Sequence, residues 1–536
     1  MASSQFKSRV LTHIGYSMRK DALTPKQIDM IRKELTVAPK QAKYSHAAES
    51  FKIFLENSTR FYLPRAWALQ TFGDAEESIL SDGTTIREDL KFIGKPYEYQ
   101  TSIIDNFIDK GANGLICVPC GRGKTFMAIN IAAKLGRKFM VVVDKEFLLQ
   151  QWSGELKALM PGIRIGIIQE NKREIGVIQN KVKEPTIPEL KESLKALGLK
   201  IGGNRAELIA RLKENTPEET HETKEAPVLE YDCCIAMIQT LVQREFSDTE
   251  FRSFGLTIFD ECHHLGAAHF SRALLKIQTK FMLGLSATPT RDDGLTKVFE
   301  WFIGKPTYWE KVREADPDVN VKKVEFKSDD PAYAKEPVDF RGEIVLPTLL
   351  TQVLECEARN ELIDQVMAEL VECKDRRILV LSDRKAHLER IARGLPKGTT
   401  VSYYIGGMKE EVREEGARTA QVLLGTYAMA SEAMNIKTLN TMLMASPRKK
   451  IEQSTGRILR VQKDARTVKP LIVDIVDQHG VYQGQWTKRK AYYKKCAYKI
   501  ITGKEVAEPK DAVDAPVVLE DADQTEEPRS ACLIVD

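Results

Sequence analysis

Short apolar runs punctuate the chain from Gly94 onward: Gly114–Val118, Phe139–Val143, Ile163–Ile168, Cys233–Ile238, Leu256–Phe259 and Phe281–Leu285. Each is hydrophobic at consecutive positions rather than alternate ones, and helix-like segments separate most of them. Continuous apolar strands alternating with helices predict a parallel sheet covered on both faces. A second series, Ile378–Leu381, Val401–Ile405, Gln421–Leu424, Thr441–Ala445 and Leu471–Val476, repeats the pattern. Two α/β domains in tandem account for both series. Ahead of them, residues 1–90 mix a helical segment (Pro25–Leu35) with strand-like stretches (Phe51–Leu55, Arg60–Leu63), as a small accessory domain would. Between Gln169 and Asp232 the chain turns polar and helical, so that stretch reads as an insert in the first series.

Composition narrows the class. With 536 residues, 43% hydrophobic and 29% charged, the chain has the profile of a soluble globular protein long enough for several cores. No apolar signal core stands in Met1–Lys20, and no uncharged apolar run reaches the about 18 residues of a membrane span. Nine scattered cysteines make no disulfide framework, which points to a reducing intracellular compartment. The net charge of +4 is unevenly spread. Glu505–Asp536 holds ten acidic and two basic residues, a tail of −8 on a body of +12. That acidic, proline-containing tail reads as a disordered extension. The weak overall charge therefore does not argue against nucleic acid, and a tail of this sign is expected to compete with it for basic surface.

Candidate chemistry begins at Val118-Pro119-Cys120-Gly121-Arg122-Gly123-Lys124-Thr125, which follows an apolar strand and opens a helix. That is the context of a phosphate loop: Cys120, Gly121, Arg122 and Gly123 turn backbone N–H groups toward phosphate oxygens, and the helix N-terminus adds partial positive charge. Lys124 is placed to reach the β- and γ-phosphates, and the Thr125 hydroxyl to bind Mg²⁺. Val118 stands where the full pattern has glycine. Cys117 and Cys120 form a C-x-x-C pair, but inside a strand and loop a packing role suits them better than redox chemistry.

Leu256-Thr257-Ile258-Phe259-Asp260-Glu261-Cys262-His263 is an apolar strand ending in two carboxylates. Asp260 would hold Mg²⁺ through water, and Glu261 would orient and deprotonate an attacking water. Carboxylates at the C-terminal edge of a parallel strand lie where such sheets bind ligands. An N-capping pair is the plainer alternative, and the upstream phosphate loop favours the catalytic one. His263, His264 and Cys262 have no second ligand pair at zinc spacing.

On these motifs the chain resembles superfamily 2 helicases of the DExH type, and within them the XPB-type group, including the transcript-release helicases of poxviruses and other large DNA viruses. The resemblance runs from about Lys95 to Tyr498. It implies two tandem RecA-like parallel-sheet domains, with ATP and Mg²⁺ as cofactors. It makes Gln100, in Tyr97-Glu98-Tyr99-Gln100, the adenine-reading residue. Pro119-Cys120-Gly121 and Asp292-Asp293-Gly294-Leu295 are XPB-like details. Val141–Trp152 and Ala236-Met237-Ile238-Gln239-Thr240 are similar to nucleic-acid contacts, the latter through Thr240. Ser286-Ala287-Thr288 matches the motif that couples hydrolysis to domain movement. Gly425-Thr426 begins a further nucleic-acid element, through Thr426, continuing as Ser431–Ile436; the family's Gly and Asp are replaced there by Ala433 and Asn435. Gln453-Ser454-Thr455-Gly456-Arg457-Ile458-Leu459-Arg460 matches Q-x-x-G-R-x-x-R. Arg457 and Arg460 are then the finger arginines that meet charge on the transferring phosphate, with Gln453 beside them, and spacing of three places the two on one helical face.

In the insert, Pro188–Lys195 and Ala206–Lys213 predict two helices, and the pair resembles a SAP domain, a small DNA-binding module. Lys191, Lys195, Lys200, Arg205 and Arg211 would meet phosphates without sequence specificity; a charged hairpin packed on its host is the alternative. Gly480–Lys504 is basic and aromatic: either a stacking and phosphate surface or a helix docked through its aromatics. The expected organisation is an accessory domain (1–90), a first motor domain (91–335) holding the SAP-like insert (183–216), a second motor domain (336–480), the basic aromatic segment (481–504) and the acidic tail (505–536).

The expected function is an ATP-dependent DNA helicase or translocase in transcription or repair, partnered by single-stranded or duplex DNA and by transcription machinery. It would act in nucleus or cytoplasm, or in the virion or replication site of a virus. An RNA helicase on the same engine, or a nucleoprotein-remodelling or transcript-release factor that never separates strands, are the alternatives.

Overall fold

The computed structural model describes residues 7–40, 49–178, 187–215, 229–247, 249–291, 293–310, 315–432, 436, 438–459, 461 and 463–502. The acidic tail, Asp292, Ala433–Asn435 and Arg460 lie outside the described residues. The chain divides into two compact units, Met1–Arg313 and Glu314–Asp536.

In the first unit, eight strands lie in the order Lys172–Arg173, Ile165–Gln169, Cys233–Met237, Phe139–Val143, Leu256–Phe259, Phe281–Ser286, Asn113–Cys117, Pro306–Trp309. All pairings are parallel except that of the short Lys172–Arg173 strand. Register explains why these strands are apolar throughout. Val141 pairs with Ile235 on one side and Ile258 on the other, and all three join the core beneath helices Glu98–Asp109, Lys124–Leu135 and Glu146–Leu159. Their neighbours Met140, Val142, Cys234 and Ala236 point the other way into a second core. Both faces being covered, no position on a central strand faces water.

The amino-terminal segment builds a five-stranded sheet, ordered Leu55–Glu56, Arg60–Leu63, Gly15–Arg19, Arg9–Thr12, Glu77–Ser78. The Arg9–Arg19 hairpin was not among the expected strands. Helix Pro25–Glu34 is closed by a reciprocal cap between Thr24 and Gln27. This segment shares the second core of the parallel sheet. Helix Arg65–Phe72 lies on helix Thr296–Ile303, with Trp67 edge-on to Trp301 at 6.5 Å, and the buried Arg65 guanidinium donates to the carbonyls of Thr279 and Lys280 at 2.9 and 3.2 Å.

The insert leaves the sheet edge through an antiparallel neck, in which Ile178 N–H donates to Leu229 O at 2.7 Å and Tyr231 N–H to Gly176 O at 2.9 Å. It carries helices Ile187–Ala196 and Arg205–Asn215 around a core of its own, Leu190, Leu194 and Leu208. Asn204 caps the second helix by accepting from Glu207 N–H at 3.0 Å.

The second unit holds seven parallel strands in the order Val401–Tyr404, Val422–Thr426, Ile378–Ser382, Thr441–Met444, Leu471–Asp477, Asn320–Phe326, Lys499–Thr502. Two of these were not foreseen. Asn320–Phe326 lies upstream of the expected start of the second motor domain at residue 336, and its lysines hid it: Lys322 and Lys323 reach out to Glu369 and Glu325 while Val321 and Phe326 are buried. Lys499–Thr502 lies beyond the expected end at residue 480. It follows helix Gly480–Lys495, which docks through Tyr482, Trp486, Arg489 and Tyr493. Arg489 makes a bidentate pair with Asp474 at 2.8 and 2.7 Å, and Tyr493 OH donates to the same carboxylate at 2.9 Å. The aromatics of this segment thus face inward.

Candidate active site

The loop after strand Asn113–Cys117 turns back sharply into helix Lys124–Leu135. Two glycines make the turn. Gly121 has φ 87° and no atom within 4 Å of where a Cβ would stand. Gly123 has φ 78°, and a Cβ there would come within 2.4 Å of Gln100 Nε2. Gln100 is buried and occupied at both ends: Oε1 accepts from Tyr97 N–H at 3.0 Å, and Nε2 donates to Arg122 O at 3.2 Å. Arg122 lies over the Tyr99 ring at 4.1 Å and pairs with Glu310 at 3.1 Å. The loop is therefore shaped from outside, by groups that leave its inner surface clear. Cys120 is buried in it. Burial pushes the neighbouring Cys117 thiol up to about 12, which removes it as a nucleophile at neutral pH.

Beside the loop, strand Leu256–Phe259 ends in Asp260 and Glu261. Lys124 Nζ lies 3.0 Å from Glu261 Oε1, and both side chains are largely buried. Asp260 accepts from Trp152 Nε1–H at 2.8 Å and from Glu261 N–H at 3.0 Å. Burial, with the Glu261 carboxylate next to it, pushes Asp260 up to about 6. Burial works against the Glu261 charge as well, but Lys124 and His263 overcome it and hold that carboxyl below its usual range. Burial also opposes the Lys124 charge, and the Glu261 carboxylate outweighs it, so the ammonium is held above its ordinary value. Glu261 has φ 41° and ψ 50°, a left-handed backbone that costs a residue of this type about 1–3 kcal/mol. Its Oε2 is buried and has no hydrogen-bond partner among the described residues.

The strand after this one supplies a brace. His263 Nδ1 lies 3.4 Å from Glu261 Oε2 and 3.0 Å from Ser286 Oγ, which also accepts from Thr288 N–H at 3.1 Å. Arg291 donates to His263 O at 2.5 Å and pairs with Asp293. The S-A-T segment is thus tied to the acidic box by hydrogen bonds. Sequence reasoning passed over Trp152, His263 and Arg291 in these roles, because nothing in the linear spacing marks contacts made across three strands.

The loop suits a polyphosphate by its donor chemistry: left-handed glycines, an open inner surface, a helix N-terminus and a buried lysine. Thr125, second in the helix, and Asp260 offer the oxygens a hard divalent cation takes.

Comparison with known proteins agrees with that chemistry. Residues 93–291 match the family described as the type III restriction enzyme, res subunit. A protein of Acanthamoeba polyphaga mimivirus named "Putative ATP-dependent RNA helicase L396" is 28% identical over 508 residues, covering 91% of this chain and 86% of that one. An African swine fever virus protein named "Putative ATP-dependent RNA helicase QP509L" is 25% identical over 438 residues, covering 75% and 74%. The chain is an ATP-hydrolysing helicase. Among solved structures, the Pyrococcus furiosus Hef helicase domain aligns over 76% of this chain and all of its own at 14% identity, with a TM-score of 0.41.

The remaining expected residues of the helicase are spread more widely. Thr240 is buried, and its hydroxyl accepts from Glu170 N–H at 2.9 Å, tying its helix to the end of strand Ile165–Gln169. Lys191 and Lys195 are exposed on the first helix of the insert, and Lys200 is exposed in the loop after it. Arg211 instead donates to Lys200 O and to Gly202 O, the latter at 2.9 Å, and so holds the loop between the two helices. The Arg205 side chain lies outside the described atoms. In the second unit, Thr426 ends strand Val422–Thr426 and is half-buried. The helix expected to carry both finger arginines is shorter than that: Glu452–Thr455 is a single turn holding Gln453, and Arg457 lies in the turn that follows, buried. Gly456, after a turn closed by Thr455 N–H on Ile451 O at 2.8 Å, ends the helix before the second arginine is reached.

Proposed function

We propose that this helicase is a DNA translocase of the XPB-type group that couples ATP·Mg²⁺ hydrolysis to movement along DNA, in transcription or repair. The observation that carries the catalytic part is the 3.0 Å pairing of Lys124 with Glu261 beside the open glycine loop. In this account the loop from Cys120 to Gly123 binds the phosphates and Lys124 neutralises them. Thr125 and Asp260 hold the magnesium ion, which supplies charge neutralisation on the phosphate oxygens. Glu261, through its Oε2 beside His263, orients and deprotonates water, and Gln100 reads the adenine edge with the second N–H and lone pair that Tyr97 and Arg122 leave. Arg457 and Arg460, with Gln453, meet the charge on the transferring phosphoryl group. Thr240 and Thr426 contact the strand.

Support for DNA comes from the insert. A two-helix hairpin with its own leucine core and exposed Lys191, Lys195 and Lys200 suits a SAP-like module that grips phosphate without reading bases. A specific observation favours RNA as the second reading: the mimivirus and African swine fever virus relatives are both named ATP-dependent RNA helicases. Strand displacement beside triplex displacement, each with ATP, tests the motor. Triplex displacement without duplex separation identifies a translocase that remodels nucleoprotein, and neither activity from a protein that hydrolyses ATP refutes movement altogether. Lys124→Ala and Glu261→Gln abolish turnover in this account, and substantial residual hydrolysis in either overturns the site assignment.

A further inference from the structure

Helix Gly480–Lys495 buries one face on the second unit's sheet, through Tyr482, Trp486, Arg489 and Tyr493. At 100° per residue the opposite face is ordered. Gly484, Thr487 and Ala491 run along its middle. Lys490 and Lys494, one turn apart, flank that strip on one side, and Lys488 and Lys495, two turns apart, on the other. All seven residues are exposed, and so is Lys499 on the strand that follows. None of the five lysines forms an ion pair with a described carboxylate, whereas Lys322 and Lys323 on the neighbouring strand both do.

Two ordinary explanations fall short. Lysines in a last turn favour the helix dipole, which accounts for Lys494 and Lys495 but not for Lys488 and Lys490 farther back. A glycine inside a helix costs about 1 kcal/mol relative to alanine. At Gly484 an added Cβ would meet nothing within 4 Å, so packing within the protein does not require glycine there. A groove of small residues between two rows of free cations fits an extended polyanion lying close to the helix backbone.

We infer that this outer face is a docking surface for the sugar–phosphate backbone of single-stranded nucleic acid, separate from the contacts expected of Thr240 and Thr426. It rests on the nucleic-acid-binding reading above. Each lysine neutralises one phosphate, and the small-residue strip lets the backbone approach. Binding here is sequence-independent and strongly salt-dependent.

The test uses the full chain without nucleotide and a fluorescein-labelled single-stranded oligonucleotide, with anisotropy read from 50 to 300 mM salt. Replacing Lys488, Lys490, Lys494 and Lys495 together by Gln is expected to lower the slope of log K against log salt by about 2–3, at about 0.7 per lost contact. Gly484→Leu is expected to weaken binding about tenfold with an unchanged or higher melting temperature, whereas Gly484→Ala leaves binding within twofold. An unchanged salt slope in the quadruple variant overturns the inference, as does full affinity in Gly484→Leu. Loss of binding to anionic vesicles with oligonucleotide affinity intact also overturns it, because the face then serves lipid. Basal ATP hydrolysis is measured alongside: failure of the motor reading would silence the unmodified protein and leave these binding curves readable.

Discussion

Replacing Lys124 by Met keeps most of the side chain's volume and deletes its charge. The ammonium lies 3.0 Å from Glu261 Oε1, and at an effective dielectric of about 20 that attraction is about 5 kcal/mol before desolvation is subtracted. Breaking one side of a buried pair costs about 3–5 kcal/mol. The two side chains retain 12% and 15% exposure, so the low end applies, about 3 kcal/mol. The loss has a pH signature. In the native protein Glu261 is held below its usual range, so its contribution is fully present above the unfolded value of about 4.3 and is lost as pH falls through the folded value. Without Lys124 the carboxyl no longer gains from ionising, and the deficit shrinks between pH 7 and pH 5. Glu261→Gln added to Lys124→Met removes the stranded charge and should recover about 2 kcal/mol. Urea unfolding of the full chain at pH 8 and pH 5, followed by tryptophan fluorescence, reads all three quantities. A loss under about 1 kcal/mol at pH 8, an equal loss at pH 5, or strictly additive effects in the double variant would refute the pairing as a coupled unit. ATP turnover of Lys124→Met should fall at least about 10²-fold.

Other outcomes follow from single features. Asp260, pushed up by burial and the neighbouring Glu261 carboxylate, takes up a proton in the folded state before the unfolded one does, so this group adds stability to nucleotide-free protein as pH drops from 7 towards 4; Asp260→Asn should remove that contribution in a denaturation series, and an unchanged pH dependence contradicts it. Asp474→Asn strips the carboxylate from fully buried Arg489 and should cost about 3–5 kcal/mol, read as a lower urea midpoint, with a loss below about 1 kcal/mol counting against the network. Deleting residues 185–216 should weaken DNA binding and spare ATP affinity, since the hairpin has its own core; unchanged DNA affinity would remove the insert's role.

The parallel sheets were legible because their strands are local patterns. Phe139–Val143 is apolar at every position, the pattern that burial on both faces favours. The strand–glycine turn–helix at Asn113–Leu135 was legible for a similar reason: strand, glycines and lysine are contiguous. Asn320–Phe326 was hidden because lysines that bend out to glutamates break the apolar run. The brace from Arg291 through His263 to Glu261 was illegible, because it joins residues 28 positions apart through a backbone carbonyl, which no side-chain pattern records. Gln453–Arg460 spaced like a helix, yet among the described residues of that stretch the helix Glu452–Thr455 stops before Gly456. The basic aromatic segment had two readings from composition, and a buried Arg489–Asp474 pair that no spacing rule anticipates turned its aromatics inward.

The most direct measurement is ATP hydrolysis by the full chain with single-stranded DNA, duplex DNA and RNA in parallel, at matched phosphate concentration and salt. Stimulation by DNA above that by RNA is the predicted result; stronger stimulation by RNA than by either form of DNA would contradict the account.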